Sequence, residues 1–142
     1  MTSRTYSGSR HCRNVRYQAE IHLARGATRC ISSHCTHVRA WFTLVQDSDD
    51  LRLIRGAEAL ADYSWTPPGR SGPFPHFRVC RTCGTRLFAR GGMLEAAGAP
   101  FYAVAVASLD DVEPDELAAA TNAHMDGGND RFTQAPADSR LM

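Results

Sequence analysis

The chain lacks long apolar runs, a strong net charge and the familiar motifs of hydrolases and nucleotide-binding proteins. Its 142 residues carry 16 Lys and Arg against 15 Asp and Glu, which leaves a formal net charge of +1. No stretch approaches the roughly 18 apolar residues that span a membrane, and the amino terminus lacks the apolar segment of a secretory signal. A balanced charge provides no basic field for nucleic acid. We therefore expect a cytoplasmic protein with neither a membrane nor a nucleic-acid partner.

Cysteines are the residues that stand out against this ordinary background. An odd number, short spacings and the absence of an export signal argue against a disulfide framework. Metal binding or thiol chemistry explains such spacings better in a chain without disulfides. The five cysteines are Cys12, Cys30, Cys35, Cys80 and Cys83.

The strongest single pattern is Cys80-x-x-Cys83-Gly84, which follows an apolar segment that contains Phe77 and Val79. A tight turn with this spacing directs both thiolates at one tetrahedral cation. A glycine directly after the pair allows the positive φ that closes such a turn. One pair supplies only half of a four-ligand site, so the remaining ligands must come from elsewhere in the chain.

Periodicity predicts a mainly β fold. Residues 15–21 alternate between apolar and polar side chains, which is typical of a half-buried strand. Residues 40–45, 51–55 and 87–89 are rich in β-branched, aliphatic or aromatic side chains and predict further strands. The segment 101–109 is apolar on both faces, so we expect a central strand there. Residues 58–63 fit either a helical turn or a strand.

The remaining segments predict one short helix and several loops in a single domain of 142 residues. Pro114 suits a first helical turn, and the acidic residues behind it complement the helix dipole, so a short helix is expected over 114–121. Residues 1–10 are expected to be a flexible entry. Loops are predicted at 30–37, 64–75 and 91–100, the last two because they are rich in Gly and Pro.

Seven short segments in a fixed order resemble a known family. They are Ser7-Gly-Ser-x-His-Cys-x-Asn-Val-Arg-Tyr17, Cys30 to Cys35, Arg39-Ala-Trp-Phe42, Phe77-x-x-Cys-x-Thr-Cys-Gly84, Phe101-Tyr-Ala-Val, Asp110-Asp111-Val and Asp126-Gly-Gly-x-Asp130-Arg. As an ordered set they resemble the glutathione-dependent formaldehyde-activating enzyme and centromere protein V family. The resemblance covers residues 7–131, and a polar tail follows.

The resemblance implies a β-tent fold, with short sheets around zinc knuckle loops, and two zinc sites. A structural zinc would be held by a first C-x-C pair plus the late C-x-x-C pair, and a catalytic zinc by a C-x-C-x-x-C loop. Enzymatic members join formaldehyde to glutathione as S-hydroxymethylglutathione, or handle related adducts, and are carbon–sulfur lyases. The implied cofactor is therefore zinc, and the implied partner is a small thiol adduct such as that of glutathione.

This chain departs from the family pattern in the first site, where Arg10 stands in place of a cysteine. Cys12, Cys80 and Cys83 remain as three of four ligands. The fourth is either water or His11, whose side chain tends to point away because it is the neighbour of Cys12 along an extended chain. Arg10 either repels a bound dication or offsets the excess negative charge of the thiolates, and the sequence leaves both alternatives open.

The second site departs as well, because Ser32 replaces its middle cysteine. Cys30 and Cys35 are then the residues predicted to hold the catalytic zinc, with His34 as a candidate third ligand. In the alternative, His34 and His37 are ordinary loop histidines and the site holds no metal. Two functions follow from these alternatives: a zinc-dependent carbon–sulfur lyase, or a non-catalytic zinc-stabilised β domain that serves in binding.

Overall fold

The computed structural model describes residues 3–30, 33–45, 47–66, 68–69, 75–91, 102–120, 122–126 and 134–140. Over these residues the chain forms ten strands, two α-helices and four 3-10 turns. The strands are β1 (Arg4–Ser9), β2 (Arg16–Ile21), β3 (Ala27–Cys30), β4 (Trp41–Val45), β5 (Leu51–Arg55), β6 (Leu60–Tyr63), β7 (Pro75–Cys80), β8 (Arg86–Gly91), β9 (Tyr102–Ala105) and β10 (Asn122–Met125). The helices are α1 (Ser33–Val38) and α2 (Pro114–Ala119), and the 3-10 turns are Leu23–Arg25, Ser48–Asp50, Ala57–Ala59 and Val106–Ser108.

The strands form two sheets, which confirms the predicted mainly β fold. A three-stranded sheet has the order β1-β2-β5, and a seven-stranded sheet has the order β10-β3-β4-β9-β8-β7-β6. The pairing of β10 with β3 is parallel, and the other pairings between these strands are antiparallel. No helix in the described part of the chain is long and apolar enough to cross a membrane.

The predicted periodicity of β2 is confirmed by its burial. Tyr17, Ala19 and Ile21 are almost completely buried, while the residues between them are partly exposed. Their side chains join one core cluster with residues of the larger sheet, including Leu87 and Val104, both fully buried. The core therefore lies between the sheets and is mostly aliphatic, with Tyr6 and Tyr17 as its buried aromatic members.

The predicted central strand is also confirmed, although it is shorter than expected. Strand β9 lies between β4 and β8 in the middle of the larger sheet. It ends at Ala105, because the chain then turns through the 3-10 segment Val106–Ser108 and leaves the sheet. Phe101, where the prediction began, lies outside the described residues, as do Ser32 and most of the predicted 91–100 loop.

Two local predictions are wrong. The expected flexible entry contains β1, which pairs with β2 from Arg4↔Ile21 to Ser9↔Arg16; its small polar residues carry no alternation, so only the partner strand reveals it. The predicted loop at 30–37 contains α1, so the fold has two short helices and not one. A helix of six residues is too short to display a period of 3.6. The helix predicted near 114–121 is confirmed as α2, with its proline in the first turn.

Candidate functional site

The turn between β7 and β8 has the geometry of a metal knuckle. Cys80 ends β7, and its Sγ accepts the backbone N–H of Thr82 at 3.2 Å and that of Cys83 at 3.1 Å. The backbone closes with Gly84 N–H donating to Cys80 O at 3.0 Å, and Gly84 has a φ of 77°. Gly84 thus adopts the positive φ that its place after the pair predicted. The two N–H groups stabilise negative charge on the Cys80 sulfur.

The third cysteine comes from the other sheet. Cys12 lies in the turn between β1 and β2, which is closed by Arg13 N–H donating to Arg10 O at 2.9 Å. Its Sγ lies 3.8 Å from the Sγ of Cys80. Because β1 and β2 belong to the three-stranded sheet while β7 and β8 belong to the seven-stranded one, the cluster joins the two sheets at one end.

The sulfur atoms of Cys12, Cys80 and Cys83 fit a zinc ion. They all lie within 4.8 Å of one another, and no other group of three or more potential ligands in the described segments meets that distance. Zinc binds thiolates at about 2.3 Å, so two sulfurs at tetrahedral positions are about 3.8 Å apart. The observed Cys12–Cys80 separation is 3.8 Å. This cluster can therefore hold zinc through three sulfurs.

Electrostatics distinguish the three thiols. The hydroxyl and backbone of Thr85 are the main cause of a low pKa for Cys83, about 5, and this thiol is exposed. Burial raises the pKa of Cys80, but the N–H groups of Cys83 and Thr82 act against it and the net pKa is lowered. The pKa of Cys12 is raised, chiefly by burial. Two of the three sulfurs are thus held in environments that favour the thiolate that zinc requires.

Arg10 packs directly against this cluster. Its side chain is buried, with 2% of its surface exposed, and its Nη1 donates to the Sγ of Cys80. His11, the tentative fourth ligand, is exposed and is not part of the cluster of ligand atoms. The group next to the three sulfurs is therefore the Arg10 guanidinium. The sequence shows an arginine at this position but does not predict the direction of its side chain.

The second predicted site lies on a different part of the larger sheet. Cys30 ends β3 and is buried, and Cys35 lies in α1, partly buried, with its carbonyl accepting from Ala40 N–H at 3.0 Å. These two cysteines and His34 do not form a group whose ligand atoms lie within the 4.8 Å spacing in the described residues. Ser32 lies outside those residues, so the second zinc site stays a prediction.

A histidine–arginine cluster adjoins Cys35. The ring of His34 stacks on Phe77 with centroids 3.8 Å apart, and the guanidinium of Arg86 lies 4.5 Å above the centre of the same Phe77 ring. Arg86 Nη1 donates to His34 Nε2. Burial, followed by the charge of Arg86, lowers the pKa of His34 to about 4. Burial lowers the pKa of Arg86, and the electrostatic effect of Cys35 opposes this by raising it.

Sequence reasoning missed this cluster and one cavity. The cluster depends on how α1 packs against β7 and β8, which no local pattern reveals. The cavity has a volume of about 420 Å³ and is lined by polar residues that include Glu20, His22, Thr43 and Asp50. None of its described lining residues is a cysteine, so it is separate from the metal cluster.

Comparison with known families bears on these residues. The model of the family "Glutathione-dependent formaldehyde-activating enzyme" matches residues 5–126. The chain belongs to this family. The match spans the Cys12 turn, the Cys30–Cys35 segment and the Cys80–Cys83 knuckle, so the resemblance drawn from the motifs is confirmed.

A solved structure supports the same fold assignment. The chain is similar to a Rhodobacter sphaeroides protein from a structural genomics project, with 28% identity and a TM-score of 0.64. The similarity covers 82% of this chain and 99% of that one. No curated protein matches the chain significantly. The family and its fold are thus shown.

Proposed function

We propose that the protein is a zinc-dependent carbon–sulfur lyase that acts on a glutathione–aldehyde adduct of the S-hydroxymethylglutathione type. In the direction of synthesis, a bond forms between the thiol sulfur and the aldehyde carbon, and the thiol proton ends on the former carbonyl oxygen. The observation that carries this proposal is the family match over residues 5–126, which includes all three cysteine-bearing segments. Zinc held at Cys30 and Cys35 would supply a Lewis acid for the sulfur or the carbonyl oxygen.

The histidine–arginine cluster supports an anionic thiol as the substrate. Among the described residues, the hydrogen-bond acceptor of the Arg86 guanidinium is the neutral imidazole of His34, not a carboxylate. A guanidinium carries five N–H donors and matches a carboxylate with two of them. Glutathione adducts carry carboxylates, so we assign Arg86 as a substrate-binding residue beside Cys35.

The neutral state of His34 fits the same role. Its Nε2 accepts from Arg86, so at neutral pH the remaining proton sits on Nδ1. The ring stacks on Phe77 and also packs near Tyr63, with centroids 5.7 Å apart, and these contacts restrict its orientation. His34 thereby orients the Arg86 guanidinium without contributing a competing charge.

The experiment is a direct measurement of adduct formation. Reduced protein is mixed with formaldehyde and glutathione, and exchange between free and hydroxymethylated thiol is followed by NMR against a buffer control. We expect acceleration by the wild type, loss in Cys35→Ser, and a rise in KM of about 10- to 150-fold in Arg86→Gln, since a hydrogen bond to a charged group contributes about 1.5–3 kcal/mol. Wild-type exchange at the buffer rate would reject the lyase.

The second candidate is a non-catalytic, zinc-stabilised β domain. It is favoured by one observation, the serine at position 32, which leaves two cysteines in a segment where the family pattern has three. In that case the Cys12, Cys80 and Cys83 centre binds zinc while the exchange assay shows no acceleration by any variant. Zinc binding and the rate of thiol exchange, measured together, therefore separate the two functions.

A further inference from the structure

We propose that Arg10 is the built-in counter-charge of the three-cysteine centre, acting outside the coordination sphere in place of a fourth protein ligand. The inference rests on the zinc assignment made above for Cys12, Cys80 and Cys83, but not on lyase activity. It concerns a positioning residue, because the guanidinium acts on the metal through the sulfur of Cys80.

Arg10 carries a permanent positive charge in a buried position. Arg10 is 2% exposed, and a buried cation is unfavourable unless negative charge compensates it. In the described part of the chain no carboxylate forms an ion pair with Arg10, and its side-chain hydrogen bond goes to Cys80 Sγ. Among the described residues, the negative charge that compensates Arg10 is therefore that of the cysteine cluster itself.

Arg10 also has an unsatisfied donor. Its Nε is buried and has no hydrogen-bond partner among the described residues. A buried donor without an acceptor typically destabilises a fold by about 1–3 kcal/mol. Such a donor is tolerated where the surroundings hold a surplus of negative charge, and the sulfur cluster that already receives Nη1 is the group beside it.

The charges of the three thiolates, a zinc ion and the Arg10 guanidinium balance. Three thiolates around a divalent zinc leave one negative charge in excess, which one guanidinium offsets. Arginine has no lone pair to give to the metal, because all five of its polar hydrogens are donors and it accepts nothing. Arg10 therefore stabilises the thiolates from outside, and the centre remains a three-sulfur site.

The backbone fixes this placement. The Arg13 N–H donates to Arg10 O at 2.9 Å, so Arg10 and Cys12 belong to one closed turn. Arg13 adopts a φ of 60° to close it. The guanidinium and the Cys12 thiol thus approach Cys80 together from the three-stranded sheet.

The test compares zinc affinities of the reduced, folded wild type, Arg10→Lys and Arg10→Gln by competition with a chromogenic chelator. Loss of a partner outside the coordination sphere typically weakens metal binding 10- to 100-fold, so we expect a Kd about 10- to 100-fold higher in Arg10→Gln. Arg10→Lys keeps the charge and should lie closer to the wild type. Zinc bound by Arg10→Gln as tightly as by the wild type would overturn the proposal.

A second variant keeps the test decisive if Arg10→Gln does not fold. Arg10→Cys supplies a thiol at the position where the family pattern has a cysteine, so the cobalt(II)-substituted protein should gain about one third in thiolate-to-metal charge-transfer absorbance, as four thiolates replace three. An unchanged spectrum would show that position 10 does not face the metal and would overturn the proposal. Absence of zinc from the wild type overturns it too, whereas an inactive but zinc-binding wild type rejects the lyase alone.

Discussion

His34 should make the fold less stable in mild acid. Burial, the Arg86 charge and His37 lower its pKa from 6.5 to about 4. Between these values the unfolded chain binds the proton and the folded chain does not, so stability rises with pH across this window. The contribution is complete above about pH 6.5 and is lost as the pH falls toward 4.

The magnitude follows from the size of the pKa difference. A difference of about 2.5 at about 1.36 kcal/mol per pKa unit sets a ceiling of about 3.4 kcal/mol. The imidazole is only partly buried, so solvent screening reduces the expected effect to about 1–2 kcal/mol.

Urea unfolding of the wild type and of His34→Gln measures this effect, because glutamine keeps an acceptor for Arg86 but does not titrate. From about pH 7 to about pH 4.5 the wild type should lose about 1–2 kcal/mol more than the variant. NMR titration of the ring supplies the direct midpoint, which we expect near 4. Parallel pH profiles, or a midpoint at about 6 or above, would refute the reasoning.

Three further outcomes test the packing and the second site. In Gly8→Ala the new Cβ would overlap the ring of Tyr17; chemical denaturation should show a loss of about 1–3 kcal/mol in the free energy of unfolding, and this loss should shrink in a Tyr17→Leu background if the clash is its cause. Leu87→Ala, which truncates a fully buried side chain, should destabilise by about 2–5 kcal/mol in the same assay, and a loss below about 1 kcal/mol would contradict the assigned core. Ser32→Cys should tighten zinc binding at the Cys30–Cys35 segment, as measured by competition with a chelator, since it supplies a third thiolate; an unchanged zinc affinity would mean that the segment is not a metal site.

The parts of the site that the sequence predicted are those set by local spacing. Cys80, Cys83 and Gly84 form a knuckle because the two cysteines lie in one tight turn, which has N–H groups donating to the Cys80 sulfur and a positive φ at Gly84. The alternation of β2 predicted which of its side chains are buried, and the apolar run of β9 predicted its central position in the larger sheet. Family membership also followed from the ordered set of motifs, and the family match over residues 5–126 confirms it.

What the sequence could not predict depends on contacts between distant segments. The role of Arg10 stayed open because its charge can either repel a metal or balance thiolates, and only its burial against Cys80 favours the second alternative. The stacking of His34 on Phe77 likewise requires α1 to pack on the β7 strand. Strand β1 was not predicted because its residues form a strand by pairing with β2 and show no alternation of apolar and polar side chains.

The most direct test of the account is the zinc content of reduced wild type compared with Cys83→Ser. Cys83 is exposed and lies in the turn after β7, so its substitution leaves the buried core intact. We expect the variant to lose about one zinc per chain relative to the wild type, because it removes one of the three sulfurs that lie within 4.8 Å of one another. Equal zinc contents in the two proteins would contradict the assignment of Cys12, Cys80 and Cys83 as a metal centre.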